Sequence, residues 1–153
     1  MRWLQDRPGI LQTAYSFTRG VLLWAKPLLL SLGAPRAAQV FVPLEEVSKK
    51  AIFDCRMCGQ CVLHSTGMTC PMTCPKNLRN GPCGGVRQNG NCEVIPDMPC
   101  VWVQAWERSA HMGAMGAEIR LLQPPVNRQL HGTSAWVNML TGVDIATPPG
   151  WRS

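Results

Sequence analysis

Charge is scarce in this chain. Asp, Glu, Lys and Arg make up 16% of its 153 residues, against roughly 25% in ordinary soluble domains. A hydrophobic fraction of 46% excludes a disordered chain, and many apolar residues with few charges point to apolar surface covered by a partner. No basic run exceeds the pair Lys49-Lys50, and the net charge of +6 is a modest excess. Nucleic-acid binding is therefore not expected. Catalytic signatures are missing too: there is no phosphate-cradling Gly loop ending in Lys-Ser/Thr, no H-E-x-x-H and no G-x-S-x-G. His64, His111 and His131 have no evident carboxylate or nucleophile partner in the sequence, so a substrate-binding active site is not expected in this chain. The apolar run at residues 21–32 is broken by Lys26-Pro27. It is too short to span a bilayer and starts late for a signal peptide, although Gly33-Ala-Pro-Arg-Ala-Ala38 after it keeps that second reading open. A cytoplasmic protein is expected. The length suits one ordinary domain with a long arm and cannot contain a (βα)8 barrel.

What the chain does have is cysteine. All eight lie between Cys55 and Cys100, a stretch with six Gly, five Pro and no aromatic residue. Its large aliphatics are only Val62, Leu63, Leu78, Val86, Val94 and Ile95, too few to offset by burial the entropy of ordering such a segment. Disulfides or metal must hold it together. In a reducing cytoplasm the thiols stay free, which favours metal.

Cys55, Cys58, Cys61, Cys70, Cys74, Cys83, Cys92 and Cys100 follow the order C-x2-C-x2-C-x8-C-x3-C-x8-C-x8-C-x7-C. Two successive x2 gaps let one tight loop present three thiolates to the corners of a cubane, as in bacterial ferredoxin runs, where a Cys-Pro cysteine follows. Here both Cys70 and Cys74 precede proline, but eight residues, not three, separate the run from the first of them. Eight thiolates suffice for two [4Fe–4S] clusters. Two Zn2+ sites are the rival, since zinc also takes four cysteines, with His64 available as a substitute ligand. In the cluster reading Cys55, Cys58 and Cys61 share one site, with Cys100 or Cys74 as the remote fourth ligand. Either metal brings about −2 per site with its thiolates, so the basic excess needs no nucleic acid to balance it. Arg56, Lys76, Arg79 and Arg87 are expected near that charge. Gly59, Gly81, Gly84, Gly85 and Gly90 either turn backbone N–H groups toward sulfur or simply form turns.

The expected fold is mainly α with irregular metal-stapled loops: a small ferredoxin-like cluster-binding core without a large sheet. Residues 1–50 read as an N-terminal helical arm, 51–122 as the cysteine-rich domain with a following helix, and 123–153 as a Pro/Gly-rich tail with short helical turns. Ile10, Ala14, Phe17, Val21, Trp24 and Leu28 recur at helical spacing, which serves either a partner or the domain's own core. Pro27 should end or kink that helix. Residues 34–43 are expected as an extended connector and 43–50 as a short helix. A second helix is expected over 101–122, from Trp102 and Trp106 and from Met112, Met115, Ile119 and Leu122, weakened at Gly113 and Gly116 unless another backbone approaches there.

Cys55-Arg-Met-Cys-Gly-Gln-Cys61, Thr66-Gly-Met-Thr-Cys-Pro-Met-Thr-Cys-Pro-Lys76, Leu78-Arg-Asn-Gly-Pro-Cys-Gly-Gly85, Gly90-Asn-Cys-Glu-Val94 and Cys100-Val-Trp102 together resemble the methylenetetrahydrofolate reductase C-terminal-like domain. Pro124-Pro125 and Gly132-Thr-Ser-Ala-Trp136-Val-Asn138 agree. The resemblance covers about residues 50–140. It implies an accessory subunit, itself without catalytic residues, whose two [4Fe–4S] clusters pass electrons to a flavin carried by a methylenetetrahydrofolate reductase-type partner in one-carbon metabolism. A zinc-stapled interaction module of the same complex is the alternative. The arm is expected to pack on that partner or on a second copy of the chain, with Arg19 and Lys26 toward solvent.

Overall fold

In a computed structural model, which describes residues 2–31, 33–148 and 150, the chain is mainly helical and forms no sheet or barrel among the described residues. The last positions of the tail, 149 and 151–153, lie outside them. Among the described residues six α-helices follow one another: α1 (Arg2–Gln5), α2 (Pro8–Trp24), α3 (Lys26–Ser31), α4 (Ala34–Phe53), α5 (Val101–Ser109) and α6 (Ala135–Thr141). Short 3₁₀ turns lie at Leu63–Ser65, Pro71–Thr73, Ala114–Arg120 and Arg128–Leu130. The sole β pairing among the described residues is a bridge between Asn91 and Pro99. No described helix is long and apolar enough to cross a membrane.

The arm is helical as expected, and its regular part stops at Trp24, just before Pro27, which sits in the first turn of α3. The expected extended connector at 34–43 is instead the first half of α4. Pro35 starts this helix where a missing N–H costs nothing, and Ala34, Ala37 and Ala38 favour it. Pro43 lies inside it, so it forfeits one backbone hydrogen bond that the remaining turns outweigh. The helix ends where Asp54 turns left-handed (φ 51°) and delivers the chain to Cys55.

The 101–122 helix stops at Ser109 and resumes as a 3₁₀ segment. A Cβ on Gly116 would stand 2.3 Å from the Ser109 carbonyl oxygen, so a backbone does approach there and glycine is required. Trp102 is buried, whereas Trp106 and Leu122 are exposed.

The core brings together Leu11 of α2, Leu63, Met68, Cys70 and Met112, with Leu4, Tyr15, Ile52, Phe53, Cys61, Met72 and Met115 packed against it. The face of α2 that faces the domain is therefore Leu11, Tyr15 and Leu22, not the Ile10 to Leu28 stripe. Phe17 is 74% exposed, Trp24 85% and Leu28 64%, with Ile10 and Val21 also exposed. Val40, Leu44 and Val47 on α4 add a second outward apolar line.

Candidate metal centre

The eight cysteines are all free thiols, and the fold sorts them into two fours. Cys55, Cys58, Cys61 and Cys70 line one small cavity of about 20 Å3. Cys74, Cys83, Cys92 and Cys100 line another of the same size. Cys70 thus joins the C-x2-C-x2-C run, while Cys74 and Cys100, the expected remote ligands, belong to the other set.

The first set is built by a tight loop after α4. Met57 adopts φ 47°, and its N–H points back at Cys55 Sγ at 3.4 Å. A Cβ on Gly59 would lie 2.2 Å from the Leu130 carbonyl oxygen, so only glycine lets the C-terminal segment close over the loop. That segment clasps it: Gly132 N donates to Met57 O (2.7 Å) and Asn138 Nδ2 to Gly59 O (2.8 Å). Buried Gln60 reaches Asp144 O and accepts from Asn127 N. Ser134 caps α6, and the Glu45 carboxylate of α4 accepts from Ala135 N (3.2 Å), Trp136 N (3.1 Å) and the Ser134 hydroxyl. Glu45 also pairs with Lys49 at 2.6 Å. The sequence signals for this clasp were present but faint, a Ser before Ala-Trp-Val and a glutamate at helical spacing from Lys49.

Two cations serve the first cavity. Lys49 lines it and is held above the ordinary lysine range by Cys61 and Glu45 against the opposing effect of burial. Arg79 lines it too, 93% buried by its 7% exposure. Its Nη2 donates to Gln60 O (3.0 Å), but its Nε and Nη1 are buried without a partner. Such donors cost free energy unless an anion answers them. The thiols respond to the same surroundings. A hydrogen bond from Cys70 brings Cys55 down to about 6, helped by the Met57 N–H and Lys49 and opposed by burial. The pairing with Cys55, and burial after it, push Cys70 up, and burial raises Cys61.

The second set is more open. Cys83 is exposed and lowered chiefly by the Gly85 N–H, 3.4 Å from its sulfur. The expected N–H to sulfur contact occurs at Gly85, while Gly81, Gly84 and Gly90 sit in turns facing open space. Cys92 N donates to Met98 O (2.8 Å) and Cys100 N to Gly90 O (3.0 Å), so one hairpin-like loop places both. Lys76 pairs with Glu93 beside Cys83. Arg87 donates to the Cys92 and Glu93 carbonyls. Arg56 is exposed.

His64 lines neither cysteine cavity. Its Nδ1 meets Glu118 at 2.6 Å, a carboxylate partner that a separation of 54 positions hid from the sequence. No three His, Cys, Asp or Glu side chains among the described residues come together tightly enough to hold a single metal ion. The donor set nevertheless fits a cluster: each cavity is bordered by four soft thiols, with backbone N–H groups on two of the sulfurs and uncompensated cationic nitrogen beside the first.

Among known proteins, the family described as "Methylene-tetrahydrofolate reductase C terminal" matches residues 34–129, more than half of the chain. The match takes in α4, which the resemblance by motif left out, and stops before α6. No curated protein and no solved structure matches the chain significantly.

Proposed function

Because the chain belongs to the methylene-tetrahydrofolate reductase C-terminal family, we propose that it is the iron–sulfur electron-transfer subunit of a reductase whose flavin sits on a partner chain. The observation that carries this reading is the sorting of eight thiols into two sets of four, one set per [4Fe–4S] cluster. A bound cluster supplies reversible one-electron chemistry. The chain's own residues would supply four thiolates at the first set, Cys55, Cys58, Cys61 and Cys70, and would offset the added negative charge with Lys49 and Arg79. The apolar line from Ile10 to Leu28, left outward, is suited to the reductase partner, because fully burying each large side chain contributes about 1.5–3 kcal/mol.

Anaerobic purification tests the proposal. Brown protein with about eight iron and eight sulfide per chain, bleaching on reduction, is the expected result. Colourless protein with about two zinc per chain would replace electron transfer by a structural role.

A further inference from the structure

A groove of about 770 Å3 runs between the two cysteine sets. Cys55, Cys58 and Cys70 of the first set and Cys74 of the second all line it, so both centres open onto one surface. Its other lining includes apolar Phe53, Ile95 and Met98 and four cations, Lys50, Arg56, Arg108 and Arg128, against the single carboxylate of Asp54. Lys50 and Arg108 have acidic neighbours in Glu46 and Asp6. Arg56 and Arg128 are exposed and make no ion pair among the described residues. None of the outward apolar residues of α2 and α3 lines the groove.

We infer that this groove is the docking surface for a small acidic electron-carrier protein, distinct from the apolar surface offered to the reductase. The inference rests on the electron-transfer reading of the cysteine sets. Charge complementarity selects the occupant: two guanidinium groups without an ion pair among the described residues, Arg56 and Arg128, line the groove together with cysteines of both sets, and opposite charge both steers encounter and fixes register. The docked carrier gives up one electron to the loaded chain, with no bond made or broken and no proton moved. A protein fits better than a small ligand, because Arg56 and Arg128 are exposed, whereas small-ligand sites bury most of their occupant.

The test uses a plant-type [2Fe–2S] ferredoxin as the acidic probe and the iron-loaded full chain. The expected dissociation constant, measured by calorimetry, weakens about tenfold between roughly 0.05 and 0.3 M salt. It weakens about tenfold again in R56E/R128E, at unchanged iron content and circular dichroism. R128E alone, remote in sequence from the cysteines, should give part of that loss. A dissociation constant indifferent to salt and to both variants, in a chain with full iron, overturns the docking claim while leaving the electron-transfer reading intact. A chain that never holds iron overturns that reading instead. A single-stranded oligonucleotide that outcompetes the ferredoxin and loses its own binding in the same variants would reassign the groove.

Discussion

At the scale of residues, Cys55 and Cys70 of the first set titrate as a pair. Cys55 has a folded value near 6, below the ordinary thiol value, so its thiolate stabilises the metal-free chain at high pH. That contribution is complete above the unfolded value and is lost as pH falls through about 6. Iodoacetamide labelling of metal-free protein should thus show Cys55 reacting with a midpoint near 6. In Cys70→Ala the midpoint should move up toward the ordinary range; an unmoved midpoint would mean that Cys70 is not the donor. Arg79 makes a second prediction. Its two unpartnered nitrogens burden the metal-free chain, so Arg79→Leu should raise metal-free stability by about 1 kcal/mol in urea unfolding, while the loaded protein releases iron faster to a chelator. The cysteines announce themselves as candidate ligands by residue type and spacing alone. Their division was not legible there: an eight-residue gap can fold toward either set, and Cys70 is committed to the first by packing in the core with Leu11, Leu63 and Met112, contacts distant in sequence.

At the scale of elements, periodicity identified α2 and its Ile10 to Leu28 line, but did not reveal the second line, Leu11, Tyr15 and Leu22, that turns toward the domain. The helix carries two apolar lines, and only the long-range position of Leu63 and Met112 decides that Leu11 turns inward. The two lines should separate by experiment. Leu11→Ala should cost about 2–5 kcal/mol, read by thermal unfolding. Phe17→Ser with Trp24→Ser should shift stability by no more than about 0.5 kcal/mol each, yet abolish co-purification with the flavoprotein. If the reductase still co-purifies with the double variant, the exposed line is not its docking surface. Deleting residues 1–33 is a poorer test than these substitutions, because it also removes Leu4, Leu11 and Tyr15 from the core. The α4 helix was half legible: Pro43 concealed its first half, since a proline reads as a boundary until neighbouring turns show that they hold without the lost bond.

At the scale of the whole molecule, helices precede and follow a middle third of loops and 3₁₀ turns that carries all eight cysteines. Each set borders its own cavity, so Cys58→Ser and Cys83→Ser should each lower iron from about eight to about four per chain. Loss of all iron in either variant would mean that the sets fold as one, and unchanged iron would remove that cysteine from the site. The join between helices and cysteines is concentrated at Glu45, which holds the N-terminus of α6 and pairs with Lys49. Lys49 Nζ in turn lies 5.0 Å from the centre of the Trp136 ring, which tilts against Tyr15 at 5.2 Å. An indole placed beside the lysine that borders the first cavity has its excited state exposed to whatever occupies that cavity. The molecule thereby carries its own optical gauge: the part of the emission that disappears in Trp136→Phe should dim as clusters are loaded, so that loading can be followed by light alone.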